Sequence, residues 1–375
     1  MNLWQIFKKS TLLAIYINDN MKIPWAIPDI QKEDKDAVLK VLESGWLSMG
    51  EKVKEFEEKM ASYLSIKYSI GANNGTSALD IAIKCIDIKK DDEIIIPALT
   101  YISTGNVVLY NNAKPVFVDI DETLNINTKL IEEKITDKTK AIINIDLGGN
   151  VSNYPKLMKI SKKHDIPLIV DGAQSLGSKY ENSKCCTHGL INTTSFHIAK
   201  ILTTVEGGMV FTNNEEICEK ARIIRNQGES SKYIHSQLGN NYRMMDLTAA
   251  IGLSQIKRID EALEKRKKIA DYYKKNLENV EYPRELQNTT NSYFFFLILV
   301  NNRDELNEYL NDNGIGTRIA YPMPINEQPV FKKYSDEILP VAKNISKKVI
   351  SLPIYNKLSS EEQDYIIEKI NNFKR

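Results

Sequence analysis

Along the middle of the chain, short runs rich in β-branched residues alternate with stretches in which apolar residues return every three or four positions. From about Lys67 to Met209 this pattern predicts strands at 67–72, 92–97, 114–120, 141–146, 166–172, 193–197 and 207–212. Such alternation is the mark of an α/β fold, a mostly parallel sheet covered by helices. Helices are predicted between the strands, among them Thr76 to Ile86 and Tyr154 to His164. Asn213 and Asn214, good capping residues, announce an amphipathic helix in EEICEKARIIRN, and a longer helical pattern runs from about Met245 to Leu277. The C-terminal third differs: SYFFFLILV (292–300) reads as a buried strand, DELNEYLNDNG (304–314) as a helix stopped by glycine, and SSEEQDYIIEKINNF (359–373) as a capped terminal helix.

Two domains follow: a large sheet domain over 21–265 with a helical segment at its start, and a smaller α+β domain over 266–375. Residues 1–20 are read as an N-terminal extension or a mis-assigned start. Their apolar run, TLLAIYI, is short and has no small-residue cleavage site after it. No apolar stretch approaches the ~20 residues that span a bilayer, and a cytoplasmic location is expected.

Charge adds an exclusion. Lys plus Arg (50) and Asp plus Glu (49) nearly cancel, and no basic patch interleaved with aromatics stands out, so nucleic acid is not expected as a partner. Cys85, Cys185, Cys186 and Cys218 show no CxxC spacing and the four histidines are scattered, which argues against a zinc site or a disulfide framework. The adjacent Cys185 and Cys186 are expected in a surface loop.

Four segments at predicted strand ends carry candidate chemistry, since ligands of such sheets gather where the strands finish. In NNGTSALD (73–80), Gly75, Thr76 and Ser77 stand where a strand meets a helix, and free N–H groups with hydroxyls suit a phosphate. An ordinary turn and cap would look the same. In PALTYIS (97–103), Tyr101 is placed either to stack on a flat heterocycle or simply to pack. In LIVDGAQS (168–175), Asp171 ends an apolar strand, where it either holds the proton of a pyridine nitrogen or caps a turn; Gln174 follows within reach of a ring oxygen. In TSFHIAKILTTVEGGMV (194–210), Lys200 lies in an uncharged stretch before a Gly-Gly turn. A lysine deprived of water there becomes a usable amine nucleophile. Ser195 offers another phosphate hydroxyl, and His197 either shapes the site wall or, as expected, is a satisfied core residue.

The string Ser195-Phe196-His197-x-x-Lys200 with Glu206-Gly207-Gly208 resembles the pattern of the DegT/DnrJ/EryC1/StrS family of nucleotide-sugar aminotransferases. GWLSMGEKVKEFEEKMASYL (45–64), NNGTSAL, PALTYISTGNVVLYNNAKPVFVDID, VDGAQSLG, RNQG (225–228), GNNYRMMDLTAAIGLSQI and SLPIYNKLSSEEQDYIIEKI resemble that family in the family's order, from about Met21 to the C-terminus. The resemblance implies aminotransferase fold type I and pyridoxal 5'-phosphate (PLP), which passes through pyridoxamine 5'-phosphate during turnover. It implies Lys200 as the lysine that holds PLP as a Schiff base, Asp171 as the partner of the pyridine nitrogen, Gln174 as a contact to the ring hydroxyl and Tyr101 as the stacking ring. Gly75, Thr76, Ser77 and Ser195 would surround the phosphate. Asn241 would reach the cofactor of a second copy, which implies a homodimer with shared sites.

The same resemblance implies L-glutamate as donor and a nucleotide-linked keto-sugar, a 4-keto-6-deoxyhexose, as acceptor, for polysaccharide or other amino-sugar biosynthesis. A 3-keto-sugar acceptor, a sugar dehydratase and a non-catalytic PLP-binding regulator are the alternatives. The dehydratases carry histidine in place of the lysine, and Lys200 argues against them. Asp146, Gln227 and Asn326 stand where many relatives have histidine, departures that bear on the sugar more than on the cofactor.

Overall fold

The computed structural model describes residues 21–373; the expectations for 1–20 lie outside them. The strands of the main sheet are β1 (Tyr68–Ala72), β2 (Glu93–Pro97), β3 (Lys114–Val118), β4 (Thr139–Ile145) and β5 (Leu168–Asp171). The short β6 (Lys179–Tyr180) and β7 (Ser183–Lys184) form a separate hairpin, and β8 (Ile191–Ser195) and β9 (Gly208–Thr212) complete the sheet. Its order is β1-β9-β8-β5-β4-β2-β3, with β9 alone running against the rest. All seven strands fall where the apolar runs predict them.

Period-two alternation explains why those runs are continuously apolar. Ile94 and Ile96 of β2 enter one buried cluster with Ile143, Ile169 and Val210, while Ile95 between them joins Val118, Ile142 and Val170 on the opposite face. A sheet covered on both sides needs an apolar residue at every position.

The parallel strands finish along one edge, and helices start there. Asn74 caps Gly75–Cys85 by accepting from Ser77 N at 2.8 Å and Asn153 caps Tyr154–His164, while Asn214 caps Glu215–Arg225 at the opposite edge, where the antiparallel β9 ends. Asn213 is not a cap; its Oδ1 instead accepts from Lys67 N at 2.9 Å.

The pattern from Met245 to Leu277 is not one helix. It divides into Asp246–Gln255 and Ile259–Asn276 around a tight turn at Ile256–Arg258. Long-range bonds converge there: Gln255 Nε2 donates to Asp29 O at 3.0 Å, and Arg258 donates to Asp29 O at 3.1 Å and to Asp34 Oδ2 at 2.5 Å. The proposed domain boundary at 265 falls inside the second helix. Its Ile259 belongs to a core against β9, while Ile269, Ala270 and Tyr273 join the C-terminal core.

That C-terminal core also holds Ile23, from the other end of the described chain. Strands β10 (Glu229–Ser231) and β11 (Ile234–His235) make an exposed hairpin, β12 (Thr289–Thr290) extends the β6 hairpin, and β13 (Phe296–Leu299) pairs with β14 (Val349–Leu352). Phe295 and Leu297 enter the sheet-side core and Phe296 and Ile298 the C-terminal one, so this segment is a wall shared by both.

The expectation of surface cysteines is corrected. Cys185 and Cys186 are fully buried, because the β6–β7 hairpin folds back under the sheet: Cys185 N donates to Ser178 O at 2.8 Å, and Cys186 Sγ lies 3.8 Å from Gly172 O. A Cβ at Gly172 would stand 2.1 Å from that sulfur.

Candidate active site

The sheet register assembles the first part of the site. Gly208 of β9 pairs with Ala72 of β1 on one side and with Ser195 of β8 on the other. The turn after β1 and the end of β8 therefore meet across a glycine. A Cβ at Gly208 would fall 2.3 Å from Asn74 O, and one at Gly75 would fall 2.7 Å from Ser195 Cβ. The first-turn amides at Gly75 and Thr76 precede any intrahelical carbonyl that could take them, and Thr76 Oγ1 lies 2.8 Å from Ser103 Oγ. Amides, hydroxyls and a helix's positive end form a cradle for an anion with several oxygens. Ser77 is buried, its amide taken by Asn74.

Asp171, 3% exposed, ends β5. Burial pushes its carboxyl up from the ordinary value. The Ala173 amide at 3.1 Å, the Thr104 hydroxyl at 3.1 Å and the charge of Lys200 pull the other way. Thr104 in turn lies 2.8 Å from Thr100 Oγ1, four residues earlier and ahead of the helix.

Lys200 follows a tight turn in which its amide donates to His197 O at 2.8 Å and His197 N donates to Ser195 Oγ at 3.3 Å. Its ammonium lies 4.1 Å from the centre of the Phe294 ring. Loss of water lowers its pKa to about 8; Asp171 opposes that fall and Arg318 adds to it. His197, expected in the core, is instead exposed, with Nε2 3.8 Å from Glu206 Oε1.

Gln174 is buried with both ends of its amide engaged: Oε1 accepts from Gly148 N at 2.7 Å and Nε2 donates to Tyr321 OH at 3.0 Å. Tyr101 is 51% exposed at the rim, its ring 6.2 Å from that of Tyr321. Asn241 is exposed on this protomer and meets the rim through its backbone, its carbonyl accepting from Asn73 Nδ2 at 3.4 Å. Two of the three departures point into the protein. Asp146 is fully buried, accepting from Ser152 N at 2.9 Å and Tyr154 OH at 2.5 Å, and Asn326 is buried with Nδ2 donating to Glu337 O at 2.9 Å.

The residues fit a phosphorylated pyridine aldehyde. The cradle is kept open by glycines that no Cβ could replace, the lysine has a lowered pKa, and a buried carboxylate stands in its field. Thr104, Phe294, Arg318 and Tyr321 were not singled out in the sequence. Thr104 carries a weak signal, the Thr100/Thr104 spacing of four, while the other three arrive from the C-terminal third with no local motif.

A model of the DegT/DnrJ/EryC1/StrS aminotransferase family matches residues 28–371. The GDP-perosamine synthase of Escherichia coli O157:H7 is 36% identical over 360 residues, 94% of this chain and 98% of its own. The dTDP-3-amino-3,6-dideoxy-alpha-D-galactopyranose transaminase of Aneurinibacillus thermoaerophilus is 35% identical over 347 residues, covering 92% and 96%. A putative sugar aminotransferase of Streptococcus pneumoniae, solved in its PLP form, superposes with a TM-score of 0.89 at 28% identity, covering 94% of this chain and 98% of that one.

Proposed function

The chain belongs to the DegT/DnrJ/EryC1/StrS aminotransferase family, and on that premise we propose that it transfers the amino group of L-glutamate to a nucleotide-linked 4-keto-6-deoxyhexose. It is a PLP-dependent aminotransferase with nucleotide-sugar aminotransferases among its relatives. The product would serve amino-sugar and surface-polysaccharide biosynthesis. One observation carries the reading: a lysine stripped of water, in the field of a buried carboxylate, beside a cradle that only glycine leaves open.

Bound PLP supplies an electron sink that lets the proton leave the carbon bearing the amine. Gly75, Thr76, Ser77 and Ser195 would hold its phosphate. Asp171 would keep a proton on the ring nitrogen, Gln174 would face the ring hydroxyl and Tyr101 would cover the ring. Lys200 Nζ would supply the amine that anchors the cofactor and, once the donor amine has taken its place, would act as the base and acid that carries the proton from the donor carbon to the cofactor's aldehyde carbon. Phe294 lies against that nitrogen, its ring centre 4.1 Å away. The pocket would be completed in a homodimer by Asn241 of a second copy, in a cytoplasmic enzyme. Among the described residues no helix is long and apolar enough to cross a membrane.

A 3-keto acceptor is the second reading, favoured by the likeness to the 3-amino-sugar transaminase. Mixing the PLP-loaded protein with L-glutamate should abolish the visible cofactor band and release 2-oxoglutarate; an unchanged band would sink the transaminase reading. A panel of dTDP-, UDP- and GDP-linked 3- and 4-keto-sugars, with products resolved by mass and NMR, then identifies the acceptor. Amination at carbon 3 alone would overturn the 4-keto assignment.

A further inference from the structure

The start of the described chain does not lie with the sheet that follows it. Ile23 pairs with Ile315: its amide donates to Gly314 O at 2.8 Å, and Gly316 N donates back to Ile23 O at 2.8 Å. A Cβ at Gly316 would stand 2.8 Å from Trp25 N, so glycine permits this approach. The pairing sets Trp25 beside the site, where its Nε1 donates to Ser351 Oγ at 3.2 Å and its ring lies 5.6 Å from that of Phe295.

Arg318 is fixed by reciprocal backbone bonds with Ser351, at 3.1 and 2.8 Å, and its guanidinium carbon lies 5.2 Å from the centre of the Trp25 ring. Contacts run inward from there. Trp25 meets Phe295, Phe295 stands 4.4 Å from Phe294, and Phe294 carries the Lys200 ammonium. Tyr321, bonded to Gln174, is three residues further along the same segment. Arg318 is exposed, and among the described residues it has no ion-pair partner. Its charge reaches the site, since it is one of the influences that lower the basicity of Lys200.

We propose that Arg318, seated on Trp25, is the receptor for a paired anionic group of the substrate, the carboxylate of the amino donor or the diphosphate of the nucleotide sugar. A planar guanidinium presents parallel N–H donors that match either group, and an aromatic support fixes its plane before the ligand arrives. The inference rests on the transaminase reading.

The test is calorimetric titration of the PLP-loaded, full-length protein with glutarate as the donor probe, and with dTDP, UDP and GDP as acceptor probes. Arg318→Gln is expected to weaken one arm about tenfold or more, the loss that follows removal of a charge-assisted pair. Arg318→Lys should weaken the same arm less, because a point charge remains without the fork. The arm that weakens identifies the anion. Trp25→Leu keeps the charge and removes its support, and is expected to weaken that arm severalfold; it decides the matter should Arg318→Gln fail to fold. Wild-type affinity of the variants in both arms, or no binding of any probe by the wild-type protein, overturns the proposal. Release of 2-oxoglutarate by the wild-type protein is measured in parallel: its absence sinks the transaminase reading, whereas its presence with unchanged titrations sinks this inference alone.

Discussion

In the cofactor-free protein, the amine of Lys200 should titrate near pH 8 instead of at 10.5. At pH 7 a group with a pKa of about 8 is neutral in roughly one molecule in ten, against roughly one in 3,000 at 10.5, a gain in nucleophile of about 300-fold. The shift corresponds to about 3 kcal/mol of disfavour for the ammonium form. Burial causes it, Asp171 opposes it and Arg318 reinforces it. Two variants should therefore move the midpoint in opposite directions, Asp171→Asn downward and Arg318→Gln upward. The assay is capture of acetaldehyde with cyanoborohydride across a pH series, with the Lys200 peptide quantified by mass against peptides of surface lysines. A Lys200 midpoint coincident with theirs, or the two variants shifting it in one direction, would refute the reasoning. Stability carries the same signature. Folding disfavours the charged form, so the penalty is fully present below about pH 8 and is relieved as pH rises toward 10.5. Between pH 7.5 and 9.5 the wild-type protein should gain about 2 kcal/mol relative to Lys200→Met in urea denaturation.

Lys200→Ala should retain noncovalent PLP but lose turnover, and Asp171→Asn should fold and transaminate only slowly; full steady-state rates in either would remove the role assigned to it. Thr104→Val removes the hydroxyl bonded to Asp171 and should lower kcat about 10- to 100-fold, the value of one hydrogen bond to a charged group, with Thr104→Ser restoring most of it. Equal rates for the valine and serine variants would count against the bond. Gly208→Ala drives a Cβ to 2.3 Å from Asn74 O and should cost about 1–3 kcal/mol in urea denaturation while weakening PLP retention in equilibrium dialysis. The four cysteines, all buried, with Cys85 pushed up to about 12 by burial, should resist a disulfide thiol reagent at pH 8 in the native protein and all react after denaturation.

The sequence by itself determined the seven strands, because a sheet buried on both faces demands apolar residues at every position, a requirement each segment records locally. It also determined the order of the motifs at the strand ends, and with them Lys200, Asp171, Gln174, Tyr101 and the Gly75–Ser77 turn as candidates. Only the tertiary structure decided what surrounds them. Phe294 lies against Lys200, Thr104 holds Asp171 and Tyr321 takes the Gln174 amide, from positions about 70 to 150 residues away in the chain. Cys185 and Cys186 lie in the core, and the helical pattern beyond Met245 breaks where Asp29 and Asp34 reach it. Trp25 and Arg318 stand almost 300 residues apart in the sequence and meet in one contact. Periodicity and capping act over a few residues and leave their mark in the local pattern. Exclusion of water and the field of a distant charge depend on which segments meet, and no run of neighbouring residues encodes that.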